Sequence, residues 1–318
     1  MYRNGIIHKV MIIIFVFSII YSPRIADAKV YWDGMELKVG QIGKLTITKP
    51  INLWKKESNR LVFSRILYPG ETYRVYAYNP VNLQFSVGGS YVVTNMKGYI
   101  MYNTPSKWKI EKVKKDFYFN QDLEEKEKLV DQIIINLSTQ DENAERIKQV
   151  KEILYKLPLY LLKELDKNTV HIKLISTNIT DLNEFSHLKG KVPRGWEETG
   201  KTWDDVPGIG GGKVIALNIS KLSIGTGHGS INLILHEAGH TIDKVILNRL
   251  SFSNEFESVW KEEAKNIFPY TGYYQNYSEE YFAECFAFFY NSESTRNILK
   301  TKAPKSYILI SKIDRGGM

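Results

Sequence analysis

The chain has 318 residues, 43% hydrophobic and 25% charged, within the range of ordinary globular proteins, and its single cysteine excludes any intramolecular disulfide. The net charge of +8 is unevenly spread: residues 29–115 hold fifteen basic and five acidic side chains, +10, whereas residues 116–318 carry −4. Such asymmetry predicts two modules with different jobs.

The first 28 residues read as an export signal rather than as part of a fold. Arg3 and Lys9 are basic, Val10–Ile20 is apolar, and Ala26-Asp27-Ala28 is an A-x-A cleavage pattern before Lys29. A run of this length falls short of the about 20 residues a bilayer span needs. The mature chain is therefore expected to be secreted, without a transmembrane span.

Residues 29–110 read as a small all-β module. Lys44–Thr48, Leu61–Phe63, Thr72–Tyr78, Leu83–Val87, Tyr91–Thr94 and Tyr99–Tyr102 are short β-branched or aromatic runs separated by turn residues such as Pro69-Gly70 and Gly88-Gly89. A small barrel or sandwich is expected, and the segment is similar to SH3-like modules of secreted bacterial proteins. Its basic and aromatic mix could suit nucleic acid. Export excludes that partner in favour of an anionic cell-surface polymer. Residues 111–120 are basic and read as a linker, leaving 121–318 as a second domain.

From Gln121 the hydrophobic period becomes helical. Leu123, Leu129, Ile133, Ile134 and Leu137 predict one helix, Ile147 to Leu157 a second, and a third follows Pro158. Val170–Ile175 and Lys213–Ile219 read as strands, with Gly208–Gly212 a loop before the latter. His171, alone on its strand, reads as a structural or exposed residue.

The stretch Ser230–His240 predicts an amphipathic helix, with Ser230 as the expected N-cap. His236 and His240 stand four apart, so their imidazoles share a face and can share one metal ion. Glu237 is rotated by roughly 100° from His236, which suits a group reaching water beside the metal. This H-E-x-x-H pattern is the helix signature of zinc metallopeptidases. Two histidines and one carboxylate would leave a catalytic position open. Downstream, Ser278–Phe289 predicts a helix on which Glu280 and Glu284 share a face beside small Ala283 and Ala287. One carboxylate can bind the metal while the other orients a histidine. Cys285 reads as a small buried apolar residue.

His236-Glu-Ala-Gly-His240, Glu280-Tyr-Phe-Ala-Glu284-Cys-Phe and the tyrosine-rich Tyr270–Tyr277 resemble the zinc-peptidase family of anthrax lethal factor and the Pro-Pro endopeptidases. Arg194–Pro207 is most similar to the Pro-Pro endopeptidase branch. The resemblance covers about 120–318. It implies an α+β zincin-like domain, mostly helical with a small sheet, and one Zn2+ whose third ligand is Glu280, with Glu284 behind it. It also implies an assisting tyrosine seven residues before that ligand, at Tyr273, with Tyr274 and Tyr277 as rivals.

Glu237 would then be the general base, and Tyr273 would support the oxyanion. Substrate-binding candidates are Trp196 and Trp203, as flat surfaces for a proline-rich peptide, and the strand Lys213–Ile219, Leu217 included, as an edge for an extended peptide. Either tryptophan could equally be core. The expected function is a secreted zinc endopeptidase acting on extracellular or cell-surface proteins, with cleavage next to proline. Two other readings are a toxin-like effector peptidase cutting a host protein, and a wall-binding protein with a relic metal site. The short basic module argues against the first, and the intact His236, Glu237, His240, Glu280 set against the second.

Overall fold

The computed structural model describes residues 29–58, 60–138, 143–222 and 229–317. The expected export signal, 1–28, lies outside them. No described helix is long and apolar enough to cross a membrane. The chain divides between Phe119 and Asn120 into two compact units.

The first unit is all-β until its last residues. A two-residue pair, β1 (Tyr31–Trp32) and β2 (Met35–Glu36), precedes β3 (Gly43–Ile47), β4 (Ile51–Glu57) and β5 (Arg60–Leu67). Then come β6 (Thr72–Val75), β7 (Ala77–Asn79), β8 (Gln84–Gly88), β9 (Tyr91–Thr94) and β10 (Ile100–Asn103). They form a three-stranded antiparallel sheet, β10-β3-β6, and a five-stranded one, β5-β4-β9-β8-β7. Alternate residues of β3 point inward, as the strand period of two requires. Leu45, Ile47 and Val75 of one sheet meet Ile51, Leu53, Phe85 and Val93 of the other in a single core. The expected small all-β module is thus two packed sheets. Strand β4 is a central strand that the sequence pattern did not mark, because Lys55, Lys56 and Glu57 break its apolar alternation.

Residues 111–120, expected as a linker, are instead part of one long helix, α1 (Lys107–Ile133), within which the division between the units falls. The density of lysines read as linker composition is the solvated surface of a helix.

In the second unit α1 leads directly into β11 (Ile134–Asn136), followed by α2 (Ala144–Leu154), α3 (Leu159–Lys167) and β12 (His171–Ile175). Ile134, expected on the helix, belongs to this strand, since pairing with β12 wins over the helical period. Strands β13 (Gly208–Ile209) and β14 (Val214–Asn218) complete a sheet of order β11-β12-β14-β13, antiparallel only at β13. Six helices follow: α4 (Leu233–Thr241), continued by a π-helical turn (Ile242–Ile246), then α5 (Asn254–Ile267) and α6 (Gly272–Asn276). The last three are α7 (Ser278–Asn291), α8 (Glu293–Lys302) and α9 (Pro304–Asp314). The unit is α+β and mostly helical, with a small sheet. One apolar core runs from Val130 and Leu162 through Leu217 and Leu235 to Phe282, Phe286 and Ile310.

Candidate active site

Helix α4 begins one residue after Asn232, whose side chain accepts a hydrogen bond from Leu235 N at 3.1 Å. Asn232, not Ser230, is therefore its cap, and Ser230 instead accepts from Asn232 N. One turn apart on this helix, the His236 and His240 rings meet edge to face with centroids 4.7 Å apart. Helix α7 packs across α4 at its smallest residues. A methyl group added to Gly239 would sit 3.0 Å from the Ala283 Cα, tighter than an ordinary carbon contact, so the bare glycine backbone favours this approach. The close crossing carries the first turn of α7 to the histidines.

Glu280 Oε2 lies 3.2 Å from His236 Nε2 and 3.1 Å from His240 Nε2, which are themselves 3.1 Å apart. Three ligand atoms on a tetrahedral zinc with bonds of about 2.0–2.1 Å stand about 3.3 Å apart, so this triangle fits such an ion closely. The donor set of two imidazoles and a carboxylate suits zinc as well. One helical turn beyond, Glu284 accepts from His236 Nδ1 at 2.9 Å and, through its other oxygen, from Ile231 N at 2.8 Å. A carboxylate on Nδ1 fixes a proton there and turns Nε2 toward the triangle, where a metal ion would take the place of a second proton. Burial alone would depress the His236 pKa, but Glu280 and Glu284 outweigh it and raise the pKa to about 10. Burial would lift the Glu280 carboxyl, yet His240 and His236 hold it well below the usual range. Carboxylates that favour a proton on imidazole this strongly also favour a metal cation.

The second oxygen of Glu280 accepts from the Tyr273 hydroxyl at 2.8 Å and from Arg194 Nη2 at 3.2 Å. Arg194 also pairs with Glu279 at 2.8 Å and stacks 3.8 Å above the Tyr277 ring. Burial, with Glu280 second, pushes the Tyr273 phenol up, so it stays a neutral donor. Of the three tyrosines, Tyr273 is the one that lines the cavity. Tyr274 is buried among core aromatics, and Tyr277 lies beneath Arg194.

These groups open on a cavity of about 310 Å3 that also contains Glu237, Trp203 and the Gly208–Gly211 backbone. Glu237 is buried, and its burial raises its pKa above the ordinary carboxylate value. A methyl group at Gly210 would fall 2.2 Å from the Glu237 carbonyl oxygen, so this backbone lies directly on α4.

Two expected substrate residues are elsewhere. Leu217 is wholly buried on β14, an internal strand paired on one side with β12 and on the other with β13. The free edge beside the cavity belongs to β13, a strand too short to show any period. Trp196 packs with Ile175, Ile179, Val206 and Ala216 in a buried cluster and is only 8% exposed. Trp203 borders the same cluster and reaches the cavity. Arg194 was visible in the sequence only as one letter of a longer motif. Its two ion pairs form across more than eighty residues, so no local signal marks them.

The family described as "Anthrax toxin lethal factor, N- and C-terminal domain" matches residues 122–313, leaving the all-β unit outside the match. The chain is 44% identical over 152 residues to a Pro-Pro endopeptidase of Clostridioides difficile, covering 48% of this chain and 68% of that one. It is 37% identical over 189 residues to a Pro-Pro endopeptidase of Paenibacillus alvei, covering 59% of this chain and 86% of the relative. The solved structure of the Paenibacillus alvei Pro-Pro endopeptidase matches with a TM-score of 0.55 at 38% identity, over 58% of this chain and 99% of that chain.

Proposed function

Because the chain belongs to the anthrax toxin lethal factor family of metallopeptidases, we propose that it is a secreted zinc endopeptidase that cuts extracellular or cell-surface proteins next to proline. The observation that carries this reading is the triangle of His236, His240 and Glu280 ligand atoms, with Glu237 beside it in one cavity. Zinc held there would polarise the scissile carbonyl and acidify a water molecule. Glu237 takes the proton of the attacking water and passes it to the leaving amine. Tyr273, kept protonated, donates to the oxyanion. Glu284 orients His236, and Arg194 steadies the outer oxygen of Glu280. An extended substrate would pair with the β13 edge, its main-chain bonds fixing register.

Trp203 offers a flat aromatic surface in the cavity for a proline ring. Proline-directed cleavage is supported by that residue and by the names of the relatives. In a peptide library, cleavage is expected to concentrate at bonds with proline on one or both sides. Indifference to proline at both positions would refute this specificity.

Export is supported by the sequence of residues 1–28 alone. The +10 charge of residues 29–115 supports retention of the enzyme at an anionic cell-surface polymer. Exposed charges act over about 8–10 Å at physiological salt, so the attachment should weaken as salt rises. Deletion of residues 29–106, which spares α1, is expected to preserve hydrolysis of short peptides and to reduce association with intact cells. The comparison is full-length against truncated protein on the same cells at low and high salt. Equal retention would assign the basic unit to folding or solubility.

A further inference from the structure

The cavity holds two cations that the chemistry above does not use, Lys244 and Arg249. Both are exposed, and neither forms an ion pair with any described residue. Of the other charged side chains lining the cavity, Glu237 is the buried base described above and the rest have partners. Glu279 and Glu280 face Arg194, His236 and His240, while the Asp243 carboxylate accepts from Ser251 N at 2.9 Å and Ser251 Oγ at 2.6 Å.

The placement of Arg249 is built rather than incidental. After the π-helical turn the backbone passes through two successive left-handed residues, Asn248 at φ 49° and Arg249 at φ 60°. Left-handed backbone is sterically costly for a long side chain such as that of Arg249 and persists there only where the surroundings enforce it. Here the Asp243 carbonyl accepts from Arg249 N at 2.7 Å, and the buried Asp243 carboxylate anchors Ser251 two residues on. The same turn brings Phe252, half exposed, to the cavity. Two unmatched cations and an aromatic ring thus stand beside the reacting groups.

We propose that Lys244 and Arg249 form a substrate subsite that binds a carboxylate, supplied either by an Asp or Glu side chain near the cut or by the C-terminus of a short peptide. This rests on the reading of the cavity as a peptidase cleft. It is tested by binding to the full-length Glu237→Gln protein, which separates recognition from turnover. The probes are fluorescent peptides with a Pro-Pro core: a neutral amidated peptide, versions with one Asp scanned along both sides of the core, and the neutral peptide with a free C-terminus. A carboxylate-bearing peptide is expected to bind about 3–10-fold more tightly than the neutral amide at low salt, the scale of one or two partly screened ion pairs. An advantage at one Asp position identifies the side chain as the source, and an advantage of the free terminus identifies the chain end. The advantage should shrink in Arg249→Asn and in Lys244→Gln, each added to the Glu237→Gln background. Asparagine accepts left-handed backbone, so Arg249→Asn removes charge while keeping the turn. Absence of any carboxylate advantage, or one that survives both substitutions, overturns the subsite. Failure of the peptidase reading would look different: wild-type protein would leave intact the peptides that the Glu237→Gln protein binds.

Discussion

Glu237→Gln is expected to keep its metal and lose about 10²–10⁴-fold in kcat/KM on a proline-containing peptide, the range over which general acid–base groups act. The substitution is nearly isosteric, which matters in this position. The Glu237 Cγ would stand 3.2 Å from a methyl group on Gly208, and its backbone is pressed by Gly210. A glutamine therefore fits where the carboxylate fits, and the histidines and Glu280 are untouched. What disappears is the capacity to accept a proton at a buried carboxylate that lines the cavity beside the triangle without belonging to it. Zinc content by elemental analysis and turnover on the same preparation check both halves of the expectation. A variant with full metal and more than a small fraction of wild-type turnover would remove Glu237 from the proton relay.

Glu280→Ala is expected to strip the metal altogether, and Glu284→Ala to weaken its binding by about 10–100-fold, the usual cost of losing a group that orients a ligand. The distinction lies in which atoms each carboxylate touches. Glu280 Oε2 completes the triangle with both Nε2 atoms, so its loss leaves two ligands and also deprives Tyr273 and Arg194 of a shared acceptor. Glu284 touches only the far nitrogen of His236 and the Ile231 amide. Its removal leaves three ligands in place but frees the ring to turn, and it leaves a peptide N–H unpaired at a cost of about 1–3 kcal/mol. Metal titration of the two variants, with thermal unfolding of each apo form, separates ligand loss from destabilisation. If Glu284→Ala loses the metal while Glu280→Ala keeps it, the ligand assignment must be exchanged.

Local spacing alone made much of this site legible. Residues four apart on a helix share a face whatever the helix packs against, so His236 with His240, and Glu280 with Glu284, were each a pair before any fold was known. The α+β class with a separate all-β segment was likewise visible, because strand and helix periods differ and the change falls between Tyr102 and Gln121. Short or crossing features were not legible. Strands β11 and β13 are three and two residues long and exist only through their partners. Leu217 read as a possible substrate edge because an apolar run shows no sign of being covered on both sides. Parallel strands inside an α/β layer carry that same pattern when buried. The choice between Trp196 and Trp203 rested on which side of the Ile175–Val206 cluster each ring falls, seven residues apart in a loop with no period. Nor could spacing say which carboxylate of α7 meets the metal ligands. That was decided where α4 and α7 cross, at Gly239 and Ala283, because a crossing point is a property of two surfaces and neither helix contains it alone.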